Sequence, residues 1–302
     1  MYSKHIKIFN QISKIYEKLG DEIRATAYHH LAKKLELYIL YKKKDKSFQL
    51  TGITEKSQKK INEISKTGKL KLLEEMKKNK DIQDKLKLIK IIGVGPSLAD
   101  KLIKKNIRNY KDFKEKYIGK ITQLQSLGIK YYGKLKKPKL NAFYQIVKVM
   151  CNQVKGVDDI TIAGSYRTGN PNPSDIDIII YSKDGKIKNT IDTLTKLGIL
   201  VDYVNSGKED IFGIIKLNNK FYKIDIKVTT SKYFASYMLY FGSGKYFSKY
   251  IRGVAKGQGY KLNQYGIEDT KTGKLKTFRT EKSIFNFLKL PYLTPQERVL
   301  YY

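Results

Sequence analysis

Gly164-Ser165 is followed, after nine intervening residues, by Asp175-Ile176-Asp177, and a lone Asp225 sits in a later apolar stretch. Ser174 to Tyr181, SDIDIIIY, is rich in isoleucine and reads as a buried strand, on which residues two apart share a face. Asp175 and Asp177 therefore project together. Phe221 to Val228, FYKIDIKV, alternates from Lys223 onward, setting Ile224, Ile226 and Val228 on one face and Lys223, Asp225 and Lys227 on the other. If this second strand pairs beside the first, Asp225 joins the other two carboxylates. The run Ile211 to Lys216 reaches it through Leu217-Asn218-Asn219-Lys220, an asparagine-rich hairpin signal.

Burying three carboxylates together is costly unless cations compensate them, and hard oxygen ligands of this kind suit two Mg²⁺ ions, or Mn²⁺. Such a pair of ions can activate a hydroxyl and hold a triphosphate. Gly164-Ser165, on the turn before the strand, offers backbone N–H groups and a hydroxyl to phosphate oxygens. A D-x-D pair on its own reads as readily as a solvated strand edge. The Gly-Ser pair upstream and the aspartate in a second strand shift the balance toward chemistry.

The 302 residues, 41% hydrophobic, suffice for two or more domains. No apolar run is long enough to span a membrane, and MYSKHIKIFN lacks the apolar stretch of a secretory signal. One cysteine, Cys151, excludes an intramolecular disulfide and a cysteine-rich zinc site, which favours a reducing, intracellular setting. The net charge of +33, concentrated in residues 1–140, calls for a polyanionic partner bound with salt-dependent affinity. An AT-rich genome would also inflate lysine, though without depleting acids this far. An anionic membrane surface would satisfy the charge too, but no lipidation signal or membrane-seeking helix accompanies it.

Toward the amino terminus, Ile6, Phe9, Ile12, Ile15 and Tyr16 fall at helical spacing, Gly20 punctuates, and Asp21 is placed to cap a second helix running through Arg24, Ala27 and Leu31. Further on, IIGVGPSLADKLIKKNI places Gly93-Val94-Gly95-Pro96 immediately before a helix. A Gly-x-Gly turn of this kind presents backbone groups to a phosphate, often with a monovalent cation between. A related unit about 40 residues earlier reads Gly52-Ile53-Thr54 and lacks the second glycine.

The GS-x9-DID segment with Asp225 resembles the palm of the family X DNA polymerases, the DNA polymerase β group. LYFGSGKYFSKYIR, Leu239 to Arg252, resembles the family's nucleotide-binding segment, and Tyr292, Pro295 and Arg298 its C-terminal Tyr-x-x-Pro-x-x-Arg pattern. GDEIRATAYHHLA and LTGITEKSQKKINEISKTGKL resemble the second helix and the first helix-hairpin-helix of the family's amino-terminal domain, and GIKYYG its approach to the palm. The resemblance implies an α+β fold: a helical amino-terminal domain with helix-hairpin-helix motifs, then a nucleotidyltransferase-type palm with a mixed sheet and a small C-terminal α/β subdomain. The expected divisions are 1–78, 79–150, 151–235 and 236–302.

It further implies Asp175, Asp177 and Asp225 as catalytic metal ligands and Lys60 as the Schiff-base nucleophile of a 5′-deoxyribose phosphate lyase. Such a lysine must be unprotonated to attack, so neighbouring cations would help depress its pKa. Nucleotide contacts are implied at Gly164, Ser165, Ser174, Lys139, Tyr240, Phe241, Gly242, Ser243 and Ser248. DNA contacts are implied at Arg24, Tyr28 and Lys56 beside the 5′-phosphate, at Gly52, Gly93 and Gly95 in the hairpins, and at Lys223, Lys249 and Arg252. Several positions depart from the family pattern. Thr168 stands where an arginine usually meets the triphosphate, Lys139 replaces a second arginine, Ser174 a glycine and Ser248 an asparagine. These changes imply an altered nucleotide pocket and lower fidelity. The short Asn218-Asn219 turn, where template-independent relatives carry an insertion, favours templated synthesis.

The expectation is therefore a DNA-directed DNA polymerase that fills short gaps in base excision repair. Its partners would be gapped or nicked double-stranded DNA and deoxynucleoside triphosphates, with a DNA ligase or other repair enzymes nearby. It would act as a monomer, away from membranes, in the nucleus or at a cytoplasmic replication site if viral. Two alternatives stay open: a non-catalytic DNA-end binding module and an RNA 3′-end nucleotidyltransferase, the latter sharing the GS and D-x-D pattern.

Overall fold

The computed structural model describes residues 2–117, 121–183, 187–205 and 207–302. The chain forms two compact units, one running to Tyr132 and the other from Gly133 to Leu300.

The first unit is helical. α1 (Ser3–Leu19) presents Phe9, Ile12 and Tyr16 to the core and stops at Gly20, whose φ of 84° is the left-handed conformation that closes a helix. Asp21 then accepts a hydrogen bond from the Arg24 backbone N–H and starts α2 (Glu22–Lys44), as its spacing predicts. α3 (Glu55–Thr67), capped by Thr54, closes this core with Ile61 and Ile64. α4 (Lys71–Lys78) adds Leu73 and Met76. α5 (Lys80–Leu88) and α6 (Pro96–Lys104) flank the Gly93-Val94-Gly95 turn. With α7 (Tyr110–Lys116) and α8 (Gln123–Tyr131) they enclose a second core around Leu88, Ile91, Leu102 and Phe113.

The second unit is mixed, which makes the chain α+β. It opens with α9 (Leu140–Gln153), whose Phe143, Ile146 and Met150 pack on a five-stranded sheet. The sheet comprises β1 (Val157–Ile162), β2 (Ile176–Ser182), β3 (Leu200–Asn205), β4 (Asp210–Leu217) and β5 (Lys220–Thr229). A one-turn helix, α10 (Gly164–Arg167), lies between β1 and β2, and α11 (Lys188–Lys196) lies between β2 and β3. The strand order is β1-β2-β5-β4-β3, with β2 and β5 parallel and the other pairs antiparallel. β4 and β5 are joined through Asn218 and Asn219, both at positive φ, the two-residue hairpin that the asparagine pair predicts.

Beyond the sheet come α12 (Phe234–Phe241) and α13 (Lys245–Gly257), then a small antiparallel sheet of β6 (Tyr260–Asn263), β7 (Gly266–Asp269) and β8 (Leu275–Lys276). α14 (Glu281–Phe287) and α15 (Pro295–Tyr301) complete the unit. Leu239, Phe247, Ile251 and Phe285 form their own core here. Among the described residues no helix is long and apolar enough to cross a membrane.

Candidate active site

β2 and β5 run parallel with Asp177 directly opposite Asp225. Ile176, Ile178, Ile224 and Ile226 are buried on the core face, so the aspartates emerge on the other face, half-buried. Asp175 lies one residue before β2 and shares that face. Burial, reinforced by the charges of Asp175 and Asp225, pushes the Asp177 carboxyl up to about 7. Burial also raises Asp225, against the pull of Lys227.

Two ammonium groups attend the cluster. Lys223 Nζ lies 3.4 Å from Asp175 Oδ2, and Lys227 Nζ lies 3.1 Å from Asp225 Oδ1 and 3.4 Å from Asp210. The carboxylates are not drawn into a closed ligand set among the described residues. The donor set nevertheless fits divalent cations: three hard oxygen ligands share one face, and Asp177 has no ion pair of its own among the described residues.

The Gly-Ser turn abuts this cluster. Gly164 has φ of 57°, and a Cβ there would stand 1.8 Å from Asp177 Oδ2, so only glycine lets the turn lie on the carboxylate. The Ala163 N–H donates to the Asp177 carbonyl, which fixes the turn to β2. Ser174 Oγ donates to Asp175 Oδ1 at 2.8 Å. Thr168 turns its hydroxyl back to the Ser165 carbonyl. Lys139 is exposed at the amino-terminal end of α9.

The segment 240–252 is held from several sides. Tyr240 and Phe241 meet edge to face at 4.9 Å. Phe241 carries the Lys227 ammonium over its ring at 4.6 Å and packs on Tyr237 at 5.5 Å. The Arg252 guanidinium lies 5.6 Å from the centre of the Tyr240 ring while its Nε donates to the Ser248 carbonyl. Ser248 Oγ reaches the Tyr240 carbonyl at 3.5 Å, and Lys249 sits over Tyr246. Gly242 is crowded by Arg167, and Ser243 is fully buried, its hydroxyl donating to Leu239 O and accepting from Arg298.

Arg167, three residues past Gly164, donates to the carbonyls of Met238 and Gly242 and pairs with Glu281 at 2.6 Å. Arg298, with no exposed surface, pairs with the same Glu281 at 2.7 Å. The arginine of the C-terminal pattern thus braces the Gly242-Ser243 turn from inside. Glu209 forms a second brace, accepting from the hydroxyls of Tyr237 at 2.7 Å and Tyr265 at 2.9 Å. Burial, with the Glu209 carboxylate, pushes both phenols up. Neither Glu281 nor Glu209 is marked by sequence spacing, since each meets its partners only through the fold. Lys227 was visible on the Asp225 face, but its reach to Phe241 was not.

In the helical unit, Lys60 Nζ lies 4.9 Å over the ring of Tyr28. Tyr28 is buried, stacked on Tyr16, and burial pushes its hydroxyl up to about 12, so it supports Lys60 from the core. Arg24 pairs with Asp21 at 2.6 Å while staying exposed, and Lys56 is exposed one turn before Lys60. Gly52 and Gly93 both have positive φ, and Gly95 caps α6. A Cβ on Gly93 would strike Gln125.

Parts of the chain match known protein families. Residues 87–136 match the family model for the fingers domain of DNA polymerase lambda, 135–231 that for the DNA polymerase beta palm, and 237–299 that for the DNA polymerase beta thumb. The chain belongs to the family X DNA polymerases. Among its family X relatives, DNA polymerase lambda of Arabidopsis thaliana is 25% identical over 97% of this chain and 61% of its own length. DNA polymerase lambda of Rattus norvegicus is 25% identical over 98% of this chain and 56% of its own. The DNA-directed DNA/RNA polymerase mu of Homo sapiens is 23% identical over 83% and 60%. The chain thus spans about three-fifths of the length of these relatives.

Proposed function

We propose that this chain is a DNA-directed DNA polymerase that fills short gaps during DNA repair, with a 5′-deoxyribose phosphate lyase in its amino-terminal domain. The observation that carries the reading is the in-register pairing of Asp177 with Asp225, with Gly164 packed on the Asp177 carboxylate. Asp175, Asp177 and Asp225 would hold two Mg²⁺ ions, Mn²⁺ serving as a substitute. When bound, such ions activate a primer 3′-hydroxyl and neutralise the charge of the triphosphate. The hydroxyl oxygen bonds to the α-phosphorus as pyrophosphate leaves, and Asp225 takes the hydroxyl proton.

Ser165, the N–H groups of its turn and Lys139 receive the phosphates, while Ser174 keeps Asp175 oriented. Tyr240 and Phe241, fixed by Lys227, Tyr237 and Arg252, lie along the sugar, with Gly242, Ser243 and Ser248 shaping the turn beneath it. Lys223, Lys249 and Arg252 serve the primer-template duplex. Gly52, Gly93 and Gly95 offer backbone groups to its phosphates through a monovalent cation. In the lyase domain, the neutral Lys60 amine attacks the aldehyde carbon of an abasic sugar, and water leaves as the imine forms. β-Elimination then breaks the sugar C–O bond and releases the phosphate-bearing DNA end, with Arg24 and Lys56 at the 5′-phosphate.

The four divisions 1–78, 79–150, 151–235 and 236–302 would carry lyase, duplex grip, palm and nucleotide closure. The protein would work as a monomer alongside a DNA ligase, in the nucleus or at a viral replication site. Extension assays decide the reading. A short-gap substrate with a 5′-phosphate should be filled to its end with deoxynucleotides in Mg²⁺, and no nucleotide addition to any DNA substrate would overturn it.

A further inference from the structure

The second unit also carries a concave feature away from the carboxylates. A cavity of about 520 Å³ opens at the opposite end of the same two strands, walled by the rings of Tyr181, Phe234 and Phe278 and rimmed by Ser231, Lys232 and Arg279. Tyr181 is four residues past Asp177 on β2, and its partner Thr229 four past Asp225 on β5, so the cavity stands about 13 Å along the strands from the aspartates.

The cavity's chemistry is one-sided. Tyr181 and Phe234 lie 5.9 Å apart and tilted, leaving a divided aromatic wall in place of a closed stack. Phe278 is almost fully buried, anchored from behind by Phe287 at 5.6 Å. Among the described residues no acidic side chain lines the space. Lys232 and Arg279 are exposed and make no ion pair among the described residues, Lys232 resting only over the ring of Tyr233 at 5.2 Å. Lys276 adds positive charge beside Phe278 at 6.0 Å. Lysine and arginine side chains without a carboxylate partner among the described residues keep their N–H donors available to a phosphate.

We propose that this cavity is a second nucleotide-binding site, in which a base stacks on Tyr181 and Phe234 while its phosphate is held by Lys232 and Arg279. Stacking on aromatic faces tolerates any base, and cation contacts track a backbone, so the ligand is a nucleotide unit without sequence preference. Two sources share that chemistry: a free nucleotide and one residue of a single-stranded overhang. Because the site lies away from the carboxylates, occupancy needs no turnover and no divalent ion.

Photo-crosslinking of the full chain tests this directly. A single-stranded oligothymidylate bearing 5-iodouracil, irradiated with the protein in EDTA, should leave adducts on Tyr181, Phe234 or Phe278, mapped by peptide mass spectrometry. The double substitution Lys232→Glu with Arg279→Glu, both at exposed positions, should reduce those adducts about tenfold by removing two charge-assisted contacts. Excess ATP that clears the adducts assigns the site to free nucleotides, and clearance only by unmodified oligothymidylate assigns it to the single strand. Adducts confined to other segments, or adducts at these rings that persist in the double variant, would overturn the proposal. Since the assay reads binding without catalysis, it stands or falls separately from the polymerase reading.

Discussion

Asp177 and Asp225 stand opposite one another in register on the parallel strands β2 and β5, and burial with mutual repulsion pushes Asp177 up to about 7. A carboxyl raised in the folded state above its unfolded value binds extra protons when folded, so its share of stability is present at low pH and lost as pH rises toward 7. In EDTA the melting temperature should therefore fall between pH 5 and pH 7.5, and Asp177→Asn should flatten that fall and melt higher at pH 7.5. Mg²⁺ should stabilise the unmodified protein and not Asp177→Asn, by preferential binding to the folded state. Thermal melts across pH, with and without Mg²⁺, read all three effects.

Arg298 has no exposed surface and depends on Glu281, which also holds Arg167. Glu281→Ala leaves a buried guanidinium unpaired, and removing one partner of such a pair costs roughly 3–5 kcal/mol. Denaturant unfolding should place that loss in the transition of the second unit. Glu281→Gln, which retains an acceptor, should lose less.

Much of this site is legible in the sequence, because strand periodicity is local. The alternation of Ile224, Ile226 and Val228 with Lys223, Asp225 and Lys227 is the sheet face itself, and the asparagine pair at 218–219 is the hairpin. Gly20 and Asp21 likewise end and begin helices by rules that need only neighbours. The braces were not legible. Glu209 meets Tyr237 and Tyr265 across 28 and 56 residues, and Arg167 meets Glu281 across 114, distances at which spacing carries no signal. Tyr28 shows the same limit from another side: the resemblance sets it beside the 5′-phosphate, and the fold stacks it on Tyr16 in the core beneath Lys60.

Gly164→Ala places a methyl group 1.8 Å from Asp177 Oδ2 at a φ of 57°, so the turn or the carboxylate must move. Nucleotide addition should fall at least a hundredfold, the scale expected when catalytic groups shift by about 1 Å. The fold of the helical unit should be untouched. Single-turnover extension paired with circular dichroism separates the two effects.

Lys60→Ala should abolish the borohydride-trapped adduct with an incised abasic site while leaving nucleotide addition intact, because the amine over Tyr28 is the nucleophile in the proposed lyase. Gel analysis of trapped complexes reads this. Equal trapping without Lys60 would move the nucleophile to Lys56 or Lys59.

Asp225→Ala is the most direct test of the proposed chemistry, since it removes one carboxylate of the in-register pair without touching the hairpins or the helical unit. Primer extension on a short gap, measured beside equilibrium binding of the same DNA, should show addition reduced to background with affinity changed less than about threefold. Undiminished addition by Asp225→Ala would contradict the assignment of these carboxylates as the metal-binding centre of a polymerase.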